Sequence, residues 1–234
     1  TTLNIVQRLD GVDKLYVGGD FATPKPVLMV GQPYGVLEGT KLARTEDGIP
    51  LVDPSTGMYI NDTEVGIIGD PNPDFYGRVF SNLHVKNFTL SATLAYSVGG
   101  DVYNYNRMLL ESGSRFHNQT MAMTNRWTCE GQITDMPRIE YEDPMGNARF
   151  SDRWIEDGSY LRLKNVTLSY KLPVSNSYIQ GVTVWGAANN VLTLTNYLGA
   201  DPEFSMSTNI LTQGIDRGLM PQSPNFSLGV KINL

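Results

Sequence analysis

The fold class is decided by residues 88–97, FTLSATLAYS, in which an apolar residue stands at every second position. The positions between them hold Thr, Ser or Ala. Successive side chains of a β-strand point to opposite faces of the sheet, so a period of two is typical of a strand whose two faces meet different surroundings. Helical spacing of apolar residues is rare in this chain. The stretch therefore predicts an all-β protein.

The same alternation recurs along the chain and predicts its strand order. It is clearest near the end of the chain and weakest at the beginning, and Asn190 interrupts one of the runs. The predicted strands are at about 1–9, 77–86, 88–97, 160–172, 182–195 and 224–234. Short links alternate with long connections, which run over 10–76, 98–160 and 196–224. Long connections without secondary structure are uncommon in compact domains and are often functional.

These features together predict antiparallel strands of a transmembrane β-barrel with long extracellular loops. Ten residues at about 3.3 Å each, tilted by about 45°, span about 23 Å, close to the apolar band of such a barrel. Aromatic residues mark both ends of the apolar stripe: Phe88 and Tyr170 near short links, Tyr96 and Phe226 near long loops. The opposite faces carry mainly Thr, Ser, Asn and Ala, which favours a barrel interior over bulk water.

Two cations contradict the simple alternation. Arg162 and Lys164 have the same parity as Val166 and Leu168, so a regular strand would place their charges on the apolar face. This arrangement requires either that the strand continues above the bilayer or that a β-bulge changes the register.

Composition excludes several other classes of protein. The 234 residues carry a formal net charge of −6, without a cluster of Lys and Arg, which argues against a nucleic-acid partner. Cys129 is the single cysteine, so the chain cannot build a disulfide framework or a multi-cysteine zinc site. No apolar stretch approaches the roughly 18 residues of a membrane-spanning helix.

Candidate catalytic and metal-binding residues are few. His84 and His117 stand too far from other ligands in sequence to suggest a metal site. Glu140, Glu142 and Asp143 could suggest a calcium site or a glycosidase carboxylate pair, but they have no companion motif and are interpreted as solvated loop residues. We therefore expect neither an enzyme nor a cofactor or metal.

Several segments resemble one family of membrane proteins over nearly the whole chain. They are VGQPYG at 30–35, IGDPNPDF at 68–75 and SDRWIEDGSYLRLKNVTL at 151–168. Their sequences are similar to the C-terminal part of the SusC/RagA-like TonB-dependent outer-membrane transporters. The chain departs from that pattern at Arg78, where a second glycine is common, and at Met220 and Leu234, where aromatic residues are usual.

The resemblance implies uptake of large glycans or peptides through a plugged 22-stranded barrel in the bacterial outer membrane. It also implies a SusD-like surface lipoprotein as a lid and energy from the TonB complex, reached through an N-terminal part. Six strands are fewer than the roughly eight that close the smallest such barrel, so we expect the plug, the N-terminal region and further strands to lie outside this chain. The final strand would be the barrel-assembly segment, with its apolar face formed by Phe226, Leu228, Val230, Ile232 and Leu234.

Loop aromatics and cations are the candidates for contact with an oligosaccharide or oligopeptide substrate. Aromatic rings can stack on sugars, and guanidinium groups can hold carboxylates. The candidate residues are Tyr103, Tyr105, Arg107, Arg126 and Trp127.

One other class of protein stays open at this stage, a soluble β-sandwich that binds carbohydrate. The two hypotheses differ in what covers the apolar stripe. In a membrane barrel, Leu94→Lys should cost about 2–4 kcal/mol because lipid faces that position.

Overall fold

The computed structural model describes residues 5–17, 25–174, 178–203 and 213–233. These residues form three β-sheets, one short α-helix and two short 3₁₀ helices. The strands are β1 Lys14–Tyr16, β2 Lys25–Met29, β3 Val36–Leu42, β4 Asn61–Gly69, β5 Phe75–Val85, β6 Phe88–Val98, β7 Asp101–Asn104, β8 Ile155–Asp157, β9 Tyr160–Leu172, β10 Gly181–Thr195, β11 Ile215–Asp216 and β12 Asn225–Asn233. The helices are α1 Tyr105–Glu111 and the 3₁₀ turns Met121–Asn125 and Asp152–Trp154. Within the described ranges, no helix is both long and apolar enough to cross a membrane.

The long strands form an antiparallel five-stranded sheet in the order β12-β10-β9-β6-β5. It takes in the stretches predicted at 77–86, 88–97, 160–172, 182–195 and 224–234. The strand predicted at 1–9 is not found in its described part, because residues 5–9 form no strand. Instead, the backbone of Val6 bonds to Gln32 and Gly31 in the β2–β3 turn, and residues 1–4 lie outside the described ranges.

One face of this sheet is apolar across all five strands, and we call it the apolar face. The register places Leu90 between Leu83 and Leu168, and Val184 between Tyr170 and Val230. Many of its side chains are exposed, and Leu228 reaches 90%. Among the described residues no second sheet covers it, as a β-sandwich would require. The soluble-sandwich alternative is therefore disfavoured.

A β-bulge resolves the position of the two cations in β9. Thr93 of β6 pairs with Asn165, but the next residue, Leu94, pairs with Leu163, so Lys164 is the extra residue. The shift keeps Leu163 and Leu161 on the apolar face and turns Arg162 to the polar face. Of the two explanations that the sequence left open, the register change is the one in the structure.

The long connections predicted at 10–76, 98–160 and 196–224 contain strands of their own. β1 to β4 form an antiparallel meander, and β11, β7 and β8 form a small mixed sheet. Their shared core consists of Leu37, Tyr103, Phe150, Trp154 and Ile215. Most of these strands were not predicted because they are short or, like the start of β3, buried on both faces. β4 is longer, but its sequence NDTEVGIIG does not alternate. We call this part of the chain the loop head.

Candidate functional site

Tyr103, a predicted substrate contact, is a core residue of the loop head. Its side chain is fully buried and packs edge-to-face on Phe150, with ring centroids 4.8 Å apart. Burial raises the pKa of its hydroxyl, which finds no hydrogen-bond partner within the described ranges. The ring is therefore closed to a ligand in this structure.

Arg107, a second candidate, belongs to a buried charge network. It contacts Glu111 at 3.1 Å and Glu156 at 2.9 Å, and Glu111 also pairs with Arg153 at 3.3 Å. Burial lowers the pKa of the Arg107 guanidinium, but the two carboxylates raise it by more, so the net shift is upward. The network joins α1 to the segment that enters β8, which makes Arg107 a structural residue of the loop head.

The other three candidates, Tyr105, Arg126 and Trp127, also make contacts within the protein. Tyr105 lies 6.3 Å from Tyr103, measured between ring centroids, and Arg217 lies over its ring. Trp127 donates its indole N–H to the carbonyl of Pro54 at 3.1 Å, and Arg126 donates to the carbonyl of Met123. Tyr103 is a core residue and Tyr105 packs against the core, whereas Arg126 and Trp127 lie in a separate loop.

A second charged cluster lies where β9 meets the loop head, on the polar face. Arg162, only 3% exposed, bonds to Asp201, and it and Lys164 both form ion pairs with Glu203. Burial raises the pKa of Asp201, but bonds from Arg162 and from the backbone N–H groups of Gln222 and Glu203 lower it to a net value below the usual one. A cavity of about 410 Å³, lined in part by Glu203, opens beside the cluster. The sequence pattern marked Arg162 and Lys164 as anomalous but not their partners.

A groove of about 490 Å³ crosses the four-stranded sheet of the loop head, and we call it the basic groove. It is lined by Lys14, Tyr16, Lys25, Glu38 and Arg149, together with Gly39, Thr40, Val65 and Phe150. The carboxylate of Glu38 accepts from the Lys14 ammonium at 2.7 Å and from the Tyr16 hydroxyl at 2.6 Å. Burial opposes ionisation of Glu38, but these two bonds outweigh it and lower its pKa below the usual value.

An exposed aromatic pair forms another opening in the loop head. The Phe116 ring, 94% exposed, lies 5.3 Å from the Tyr141 ring, measured between centroids. Arg115, His117 and Glu142 line the same pocket of about 560 Å³. The structure therefore brings together His117 and Glu142, which the sequence left as unrelated loop residues. The sequence feature that points to this pocket is Phe116, a single aromatic residue between Arg115 and His117.

The predicted barrel-assembly strand places its apolar residues on one side. Phe226, Leu228, Val230 and Ile232 all lie on the apolar face of β12 and are exposed. Leu234 lies outside the described residues. β12 pairs with β10 on one side, and its other edge has no strand partner in the described part of the chain.

The remaining titratable candidates have ordinary surroundings. His84 Nδ1 lies 2.8 Å from the Thr89 hydroxyl, and Cys129 is a free, exposed thiol. Within the residues that the structure describes, no group of three or more His, Cys, Asp and Glu side chains could hold a metal ion.

Comparison with known proteins gives relatives over most of the chain, although no protein-family model matches. TonB-dependent receptor P3 of Formosa agariphila is 38% identical over 71% of this chain and 17% of the receptor. TonB-dependent receptor P26 of the same organism is 29% identical over 98% of this chain and 26% of the receptor. TonB-dependent receptor SusC of Bacteroides thetaiotaomicron is 26% identical over 80% of this chain and 18% of the receptor. The chain thus spans about a sixth to a quarter of the length of these curated relatives.

Solved structures show the same fold. The RagAB peptide transporter matches with a TM-score of 0.77 and 24% identity over 97% of this chain and 26% of the solved chain. The open-open state of the RagAB peptide importer matches with a TM-score of 0.78 over 98% of this chain. The relatives are receptors and transporters, which are not enzymes, in agreement with the prediction from the sequence.

Proposed function

Because the chain belongs to the SusC/RagA-like TonB-dependent receptors, we propose that it is part of a bacterial outer-membrane importer of large glycans or peptides. In this proposal the five-stranded sheet is part of the barrel wall, and it corresponds to the C-terminal strands of a 22-stranded barrel. The loop head then lies on the extracellular side.

The observation that carries the proposal is the continuous apolar face. It extends over β5, β6, β9, β10 and β12, and the bulge at Lys164 maintains it where regular alternation would break it. Aromatic side chains lie at both ends: Phe88 and Tyr170 are 4.5 Å apart near the short links, and Phe75 and Tyr96 are 6.2 Å apart near the loop head. An apolar outer band between two aromatic levels is typical of outer-membrane barrels.

The two edges of the sheet are evidence that further strands of the receptor pair with it. β5 and β12 each have a strand partner on one side only, among the described residues. Unpaired backbone groups in lipid cost several kcal/mol each, so strands outside this chain must pair with these edges. In this proposal the plug and the TonB-binding segment belong to the rest of the receptor, of which this chain spans about a sixth to a quarter.

The partner and the substrate are also proposals. We expect a SusD-like lipoprotein to cover the loop head, because SusC and RagA-like receptors are the relatives of this chain. RagAB is described as a peptide transporter, whereas the loop head carries both exposed rings and cations that suit glycans or peptides. Both substrate classes therefore stay in the proposal.

The exposed thiol of Cys129 provides a direct test of which side of the membrane the loop head faces. The full-length receptor, with its other cysteines replaced by serine, would be treated on intact cells with a membrane-impermeant maleimide. We expect Cys129 to react. The matched control is Gln180→Cys in a Cys129→Ser background, since Gln180 is exposed on the short link between β9 and β10. It should react only after the outer membrane is opened.

Two results would contradict the proposal. One is labelling of Cys129 only after the membrane is opened; the other is equal labelling of both positions on intact cells. Transport itself is tested by the uptake of fluorescent oligosaccharides and oligopeptides in cells with and without TonB. Uptake that does not change when TonB is removed would exclude energised import.

A further inference from the structure

The basic groove lies on one face of the sheet formed by β1 to β4. Lys25 is directly opposite Glu38 in the β2–β3 register, and Tyr16 is opposite Val27. Since residues opposite each other across antiparallel strands share a face, Lys14, Tyr16, Lys25 and Glu38 all project to the same side. Arg149 joins them from the loop that precedes β8.

Within the part of the chain that the structure describes, the groove carries more positive charge than its one carboxylate, that of Glu38, can balance. Glu38, only 3% exposed, is already engaged by Lys14 and Tyr16. Among the described residues, Lys25 has no carboxylate within ion-pair distance, and Arg149 bonds only to the carbonyls of Met145 and Gly146. Among the described lining residues, three cations thus face one carboxylate, in a chain whose net charge is −6.

Glu38 also holds the groove in a defined shape. It fixes the Lys14 ammonium and the Tyr16 hydroxyl at 2.7 and 2.6 Å. Two ammonium groups lie near the Tyr16 ring, Lys14 at 5.6 Å and Lys25 at 5.7 Å from its centroid. Fixed donors reduce the entropy lost when a ligand binds, so this arrangement is organised before binding.

The position of the groove favours an anionic sugar over an anionic peptide as its ligand. Extended peptides usually bind at a free sheet edge, where backbone groups can form new hydrogen bonds. The groove instead lies over one face of the whole sheet, from Lys14 and Tyr16 of β1 to Val65 of β4, and the backbone groups of its central strands β2 and β3 bond to neighbouring strands. Recognition must therefore come from side chains: cations for anionic groups, the Tyr16 ring and hydroxyl for a polar ring.

We propose that the basic groove binds an anionic oligosaccharide through the carboxylates of its uronic acid units. The inference rests on the proposed import function, because it assigns a chemical class to what meets the loop head. Lys25 and Arg149 are the groups that hold the carboxylates, and the half-exposed Tyr16 ring packs against the sugar.

The test is calorimetric binding to the purified full-length receptor in detergent. The probes are short oligomers of galacturonic acid and of glucuronic acid, with oligomers of galactose and glucose as neutral counterparts and oligoglutamate as an acidic peptide. At low salt we expect Lys25→Gln and Arg149→Gln each to weaken uronate binding about fivefold, and the double variant about 25-fold. A tenfold rise in salt should also weaken it, since the cations are partly exposed.

Lys41→Gln is the matched control, because Lys41 is on β3 but is not among the residues that line the groove. It should leave uronate binding within about twofold. Lys25 is exposed, so Lys25→Gln tests the proposal even if Arg149→Gln disturbs its loop.

Four results would overturn the inference. They are no binding of either uronate, equal binding of the neutral oligomers, tighter binding of oligoglutamate, and equal weakening by Lys41→Gln. If any one of these results is obtained while wild-type Cys129 is still labelled from outside and uptake still needs TonB, the proposed import function stands and only the ligand class is wrong.

Discussion

A lysine at Val166 tests which face of the five-stranded sheet meets lipid. Val166 lies in β9, the central strand, and pairs with Ala92 of β6 and Ala188 of β10 on the apolar face. Thr167, the next residue, points to the polar face. Thr167→Lys therefore introduces the same charge into the same strand, on the side that the proposal assigns to the barrel interior.

The position of Val166 along the strand sets the size of the effect. It is four residues from Tyr170, which belongs to the aromatic level near the short links. Four residues at about 3.3 Å, with a tilt of about 45°, place it about 9 Å inside an apolar band about 25 Å tall. A lysine near the middle of that band costs about 2–4 kcal/mol, or about 30- to 900-fold in the folding equilibrium. On the polar face we expect less than about 1 kcal/mol.

The measurement is unfolding of the full-length receptor in phospholipid bilayers with guanidinium chloride. The folded fraction is read from the difference in gel mobility between unheated and heated samples. We expect a clear loss for Val166→Lys and a small change for Thr167→Lys. Equal losses would mean that lipid does not distinguish the two faces, and a larger loss for Thr167→Lys would place lipid on the polar face. Either result would refute the assignment of the apolar face to the membrane.

Three further substitutions test individual contacts. Asp201→Asn removes a buried partner of Arg162 and should lower the free energy of unfolding by about 2 kcal/mol at neutral pH. The pKa of Asp201 is lowered in the folded protein, so this contribution is present above its unfolded pKa of about 3.9 and is lost as the pH falls through the folded pKa. The unfolding curves of wild type and variant should therefore converge only in strong acid. Gly57→Ala would place a methyl group 2.6 Å from the Trp127 ring at a φ of +71°, and it should cost about 1–3 kcal/mol and make the loop easier to cleave with protease, whereas unchanged cleavage would contradict the contact. Tyr103→Phe removes a buried hydroxyl that has no partner among the described residues, so thermal unfolding should show equal or higher stability, and a loss above about 1 kcal/mol would reveal a partner elsewhere in the protein.

The five-stranded sheet could be predicted from the sequence because its two faces differ in polarity. Each long strand records that difference at every second residue, as in FTLSATLAYS at 88–97. The prediction became ambiguous only at Arg162 and Lys164, where parity alone cannot separate a bulge from a strand that rises out of the membrane. The cross-strand register of Leu94 with Leu163 decides the question, and that register is a property of two strands rather than one.

The candidate site could not be predicted in the same way, because its residues depend on distant partners. Tyr103 was a candidate because loop aromatics can stack on sugars, yet it packs in the core with Leu37 and Trp154. The basic groove joins Lys25 to Arg149, which are 124 positions apart in the chain. Local pattern identifies residue types that can bind a ligand, but burial decides which of them remain accessible.

Because of the bulge at Lys164, β9 contributes Leu161 and Leu163 to the apolar face and Arg162 to the charged cluster on the polar face. A regular β9 would have to place Arg162 on the apolar face or end the apolar stripe below Leu163. The extra residue avoids both, because Leu161 stays opposite Leu194 on the apolar face while the Arg162 guanidinium reaches Asp201 on the other. β10 has a matching irregularity at residues 190–191, where Asn190 adopts a left-handed φ of +51°. Two neighbouring strands therefore change register at the same level, which links the end of the wall to the beginning of the loop head.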